Sequence, residues 1–179
     1  MKALLLAATA ALTLPAAASG HVMFVNPQAA AGSTYVGALR IGHGCDGSAT
    51  VSLRVEIPES VLSAKPQAKA GWTINIEHAP LKTPVAGEGG KMQSDRVSAV
   101  TWTGNLPDDE FDDFALRLKL PKTDRMLYFP AVQTCRTGRA EWKDIPAAGQ
   151  SMHAVAHPAP ALTLTKDGMA DMPGMDMGH

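Results

Sequence analysis

"ATVSLRVEIP", residues 49–58, decides the fold class. Val51, Leu53, Val55 and Ile57 alternate with Ser52, Arg54 and Glu56. A period of two puts the apolar side chains on one face and the polar ones on the other, the pattern of a strand with one buried face. The same alternation runs through Trp72, Ile74 and Ile76 in "GWTINIE" (71–77) and through Phe114, Leu116, Leu118 and Leu120 in "DFALRLKLP" (113–121). "TYVGALRI" (34–41), "RVSAVTWT" (96–103), "MLYFPAVQT" (126–134) and "ALTLT" (161–165) are further candidate strands. Turn material separates them: Pro58-Glu59, Pro66, Gly89-Gly90, Leu106 to Asp109, Pro121 and Gly138. Many short strands between Gly/Pro turns predict an all-β chain folded as an antiparallel sandwich or barrel. "ESVLSAK" (59–65) is the one candidate for a single helical turn.

The ends have a different character. Lys2, an uncharged apolar run from Ala3 to Leu14, Pro15 and a small-residue stretch have the layout of a secretory signal peptide. The run is too short for the roughly 20 apolar residues that span a bilayer. Cleavage fits after Ala18 or after Gly20, and the second makes His21 the first residue of the mature protein. The expected domain is 21–165, followed by a Met/His-rich tail at 166–179 with no core-forming pattern. Losing Lys2 takes the formal charge from −1 to −2. That near balance argues against nucleic acid or an anionic membrane surface as partner. No second long apolar segment follows to hold the mature chain in a membrane. Two cysteines, Cys45 and Cys135, read as a disulfide in an exported protein. A two-thiolate metal site is the alternative, although the spacing is far from CxxC.

A histidine at a free N-terminus chelates by itself, because its α-amine and its ring Nδ1 offer two nitrogen donors from one residue. Nitrogen donors suit copper(II), which tops the divalent affinity order. The amine pKa, about 7.7–8.0, lets copper displace its proton near neutral pH. At the other end Met169, Met172, Met175 and Met177 fall within nine residues, and His179 ends the chain. Thioether sulfur is a soft ligand that prefers copper(I). Nitrogen ligands at one end and sulfur ligands at the other point to copper handling.

Several segments, in order, are similar to the YcnI-like copper-binding domain of bacterial exported proteins. They are "HVMFVNPQAAAGS" (21–33), "GCDGSATVSLRVEIPE" (44–59), "GW" (71–72), "VTWTGNLPDDEFDDFALRLKLP" (100–121), "LYFPAVQTC" (127–135) and "EW" (141–142). The resemblance implies a cupredoxin- or immunoglobulin-like β-sandwich. It also implies a single-histidine copper brace on the mature N-terminus, completed by a carboxylate and with a tryptophan close to the metal. Here the histidine is His21 and the tryptophan Trp142. The carboxylate is Glu77, with Glu110 as the alternative and Glu88 in a loop that aligns poorly. Trp72 and Trp102 are expected in the core.

The remaining histidines carry weaker expectations. His43, in "GHGCDG", reads as a solvated loop residue. His78 points away from Glu77 if the strand continues through both. His153 and His157 share a face only if "HAVAH" is helical, and make at most a secondary site. The expectation is an exported copper-binding protein of the periplasm or outside the cell, not an enzyme. Its expected partners are copper ions and a periplasmic copper chaperone or membrane copper transporter, in acquisition, delivery or resistance. The competing expectation is a histidine-brace copper oxidase or monooxygenase acting on polysaccharide. Such sites use a second histidine and a flat aromatic platform. The sequence marks no clear second histidine, and it holds only nine Phe, Trp and Tyr residues. No Ser-His-Asp set, phosphate loop or dinucleotide fingerprint appears.

Overall fold

The computed structural model describes residues 21–87, 90–123 and 125–166. The expectations for the first 20 residues, for Glu88 and for Met169, Met172, Met175, Met177 and His179 fall outside them. The described chain is all-β. Its strands are β1 (Met23–Phe24), β2 (Gln28–Ala30), β3 (Thr34–Ile41), β4 (Thr50–Glu56), β5 (Ser63–Pro66), β6 (Thr73–Ala86), β7 (Met92–Leu106), β8 (Asp112–Lys119), β9 (Arg125–Tyr128), β10 (Ala131–Cys135), β11 (Arg139–Trp142) and β12 (Ala161–Thr165). They form a four-stranded sheet β1-β3-β8-β5, a five-stranded sheet β11-β10-β4-β7-β6 and a small sheet β2-β12-β9. All pairings are antiparallel except β12 with β2. No helix among the described residues is long and apolar enough to cross a membrane.

The alternating residues fill the space between the larger sheets. Leu53 and Val55 of β4 meet Phe114, Leu116 and Leu118 of β8, with Leu39 and Trp102, all fully buried. Trp102 lies in the core as expected. Trp72 is half-buried instead, its ring edge-on to Phe114 at 4.8 Å.

Two expectations are corrected. "ESVLSAK" holds no helical turn: Ser63 to Lys65 belong to edge strand β5, where Ala64 is buried opposite Leu118. Burying alternate residues on a sheet edge outweighs a helical preference too short to nucleate alone. The strand begun by "GWTINIE" runs on to Ala86, through Pro80 and Pro84. It can do so because β6 is the last strand of its sheet, and a proline on an edge strand breaks no central ladder.

One ion pair ties β3 to β8. Arg40 donates two hydrogen bonds to the Asp113 carboxylate, at 2.7 and 2.8 Å. The guanidinium holds the Asp113 carboxyl below the usual aspartate range. A depressed carboxylate stabilises the fold above its ordinary value near 3.8 and loses that contribution as pH falls through the lower folded value. Asp113→Asn should therefore flatten the acid end of a pH–stability curve while costing about 1 kcal/mol or less at neutral pH, because both side chains are partly exposed to screening solvent. Urea melts between acid and neutral pH check this. An unchanged acid limb would exclude Asp113 as a contributor.

Candidate metal centre

His21 enters through β1, whose Met23 pairs with Arg40 and Phe24 with Leu39. Val22 and Phe24 are buried, so this short segment is anchored although only two residues of it are strand. Tyr35 holds the connection that follows: its hydroxyl donates to the Asn26 carbonyl at 2.5 Å, and burial pushes the phenol up to about 12. The Tyr35 ring uses the space that Gly37 leaves, since a Cβ there would lie 2.0 Å from the hydroxyl.

Trp142 reaches the same place from β11. It sits opposite Ala131 and is buried. Its ring centroid lies 5.4 Å from that of His21, with the planes tilted by 55°. The half-buried His21 imidazole therefore has an indole against one side.

Gln133 supports the tryptophan, and sequence reasoning passed over it. It is the largest buried polar side chain of the described core. Its Oε1 accepts from the Trp142 indole N–H at 3.4 Å, a long contact. Its amide nitrogen donates to the His43 carbonyl and to Thr50 Oγ1, both at 2.8 Å. The place of Gln133 in "FPAVQTC", on the same strand face as Ala131 and Cys135, was the available signal, since a buried amide needs partners. Gln133→Leu keeps the volume but removes the donor to the His43 carbonyl and the Thr50 hydroxyl and the acceptor for the Trp142 N–H. It should destabilise the domain by about 2 kcal/mol in denaturant titrations followed by circular dichroism. A change below about 0.5 kcal/mol would mean that water replaces the amide.

A second histidine also reaches Trp142. The His157 ring lies 5.4 Å from the indole, nearly edge-on at 71°. "HAVAH" is not helical: a single 3₁₀ turn at Met152–Ala154 is followed by bends, so the i, i+4 argument does not apply. Asp144 holds the segment instead. Its Oδ2 accepts from the His157 N–H at 3.0 Å, its own N–H donates to the His157 carbonyl at 2.9 Å, and its carbonyl accepts from the Ala159 N–H at 2.9 Å.

The structure does not bring Glu77 to His21. Glu77 lies on β6 and Trp142 on β11, the two opposite edges of one sheet. Four strand spacings separate them, about 19 Å. Arg54 takes both carboxylate oxygens of Glu77, at 3.1 and 3.0 Å, and holds its carboxyl below the usual range. The side chain is thus committed to a surface ion pair. Glu110 sits in the turn between β7 and β8, its N–H bonded to the Pro107 carbonyl, and its exposed side chain has no partner among the described residues. Glu141, next to Trp142, is held by a hydrogen bond from Lys143 and by the charge of Arg139, which keep its carboxyl below the usual range.

His43 is half-buried rather than solvated, with its Nδ1 2.6 Å from the Gly44 carbonyl. A register shift falls between Glu77 and His78, and the His78 ring meets Asp95 at 3.1 Å on the β6–β7 arm. Cys45 and Cys135 are joined as a disulfide, the state of thiols in an oxidising compartment.

Among the described residues no three His, Cys, Asp or Glu side chains gather as a metal cluster. A site built on the amine and ring of one residue does not need such a cluster for its first two donors. What the geometry offers is the His21 imidazole, an aromatic wall and a second histidine on the same indole.

No curated protein shows significant similarity to the sequence. A crystal structure of an uncharacterized protein from Nocardia farcinica, described as revealing an immunoglobulin-like fold, is similar at a TM-score of 0.61 and 29% identity. The match covers 80% of this chain and 97% of that one. It agrees with the β-sandwich built above. Residues 21–164 match the domain of unknown function DUF1775, so the chain belongs to that family, of which YcnI is a member.

Proposed function

We propose that this is an exported copper-binding protein whose copper(II) ligands are the α-amine and ring Nδ1 of His21 once cleavage after Gly20 has freed the amine. The observation that carries the reading is the 5.4 Å approach of the His21 and Trp142 rings. An N-terminal histidine with no structural role would fray into solvent, whereas this one is packed beside a buried indole. Trp142 offers no lone pair for a metal, since its N–H is a donor only. Its part is to fix the imidazole and keep water from one side. Glu77 is not retained as the carboxylate, for the reasons given above. The tail from Lys166 would collect copper(I) through Met169, Met172, Met175, Met177 and His179, and raise the local copper concentration beside the domain. The disulfide fits a periplasmic or secreted protein. Delivery to or from a copper chaperone or membrane transporter, in acquisition or resistance, is the task that follows.

Intact-mass analysis of the exported protein, followed by copper(II) titration with EPR, tests the reading. A mature N-terminus at His21 and a single saturable copper(II) signal with nitrogen hyperfine structure are expected. A chain beginning at Ser19 would sink it.

A second reading, a copper oxidase or monooxygenase acting on polysaccharide, draws on His157, which packs on Trp142 at the same 5.4 Å as His21. Reductant- and oxygen-dependent cleavage of a polysaccharide, lost in His157→Ala, would favour it.

A further inference from the structure

Three of the four methionines among the described residues line one cavity beside His21. The cavity has a volume of about 300 Å³ and apolar walls. Its floor is the outer face of β12 and β9, where Thr163 stands directly opposite Met126 while Leu162, Leu164 and Leu127 turn to the core. Met23 comes from β1 and Met152 from the 3₁₀ turn. Three methionines from three separate segments thus border one space, with His21 also on its wall.

Core packing does not account for Met23 and Met126, and Met152 is only half-buried. Met23 is 52% exposed and Met126 43%. An apolar side chain left largely in water gains little from the hydrophobic effect. An unbranched thioether in such a place suits a soft, d10 ion. Met92, on the β6–β7 arm, is the fourth methionine and is not on this cavity, so it serves as an internal standard.

We propose that the cavity is a second, soft-metal site, in which the thioethers of Met23, Met126 and Met152 hold copper(I). The choice of copper rests on the copper reading of His21; the thioether set does not. Thioethers carry no proton to displace, so this site keeps its affinity in mild acid. The N-terminal chelate loses affinity there, because its amine must first give up a proton. The two sites are therefore separable by pH as well as by oxidation state.

The test uses the whole chain from His21, labelled at the methionine methyl carbons and titrated with silver(I), a redox-inert stand-in for copper(I), at about pH 5.5. The Met23, Met126 and Met152 methyl signals should move together, with Met92 unmoved. The triple variant Met23→Leu, Met126→Leu, Met152→Leu should lose about tenfold or more in copper(I) affinity against a chelator. Its copper(II) EPR signal at about pH 7.5 should be unchanged. Silver shifts confined to the tail methionines, or an unaltered copper(I) affinity in the triple variant, would overturn the proposal. If that variant does not fold, the shifts in the unsubstituted protein decide. A missing copper(II) signal with the three shifts intact would count against the His21 reading alone.

Discussion

A chain whose His21 α-amine is acetylated should bind copper(II) about a thousandfold more weakly than the chain that begins at His21 with that amine free, a loss of about 4 kcal/mol. Acetylation turns the α-amine into an amide nitrogen and supplies no new amine, which removes one donor and the chelate ring in a single step. Losing a partner that merely supports a ligand typically costs 10–100-fold in metal affinity, and losing a ligand should cost more. The fold should not notice, because β1 is anchored from Val22 and Phe24 inward and His21 itself makes no ladder pair. Chelator competition gives the affinity, and denaturant melts confirm the unchanged fold. Equal affinity in the two forms would mean that copper is held elsewhere. The same chelate has a pH signature: affinity should rise from about pH 5 to pH 8 as the amine becomes easier to deprotonate.

Replacing both Cys45 and Cys135 with alanine should lower stability by about 4 kcal/mol, within a usual range of 2–5. The bond closes a loop with a sequence separation of 90. Chain-entropy reasoning makes the unfolded state of so long a loop much less constrained once the link is gone. In the folded state the bond ties the loop before β4 to the end of β10, next to Thr50, whose hydroxyl accepts from Gln133. Alanine suits the test because Cys135 is buried and a serine hydroxyl there would add a separate cost. Melting temperature should fall by about 8–16 °C for a domain of this size. A loss under about 1 kcal/mol would mean that the unfolded chain keeps this loop compact without the link.

Local patterning made the strands readable. "ATVSLRVEIP" and "DFALRLKLP" alternate because each lies on a sheet with one face on the core, and that requirement acts residue by residue along the chain. β6 and β5 were less legible. The pairing of β6 as an edge strand, which tolerates Pro80 and Pro84, is a property of the sheet and not of its residues. β5 is a strand because β8 offers it a partner, with Ala64 opposite Leu118.

The site divides in the same way. Adjacency in the chain puts His21 where a signal-peptide boundary is expected and four methionines among the last residues. The even count of two cysteines also read as a Cys45–Cys135 disulfide, and the fold brings the two sulfurs together across a separation of 90. The proximity of His21, Trp142 and His157, which come from three distant segments, is decided by strand order and by the Asp144 hydrogen bonds that hold the last loop. The same strand order carries Glu77 to the far edge of the sheet and gives it to Arg54. The sequence determined the class of fold, through short-range periodicity set by burial of one face. Tertiary structure alone decided which polar side chains share a place, because strand neighbours are chosen by long-range packing that no local pattern records.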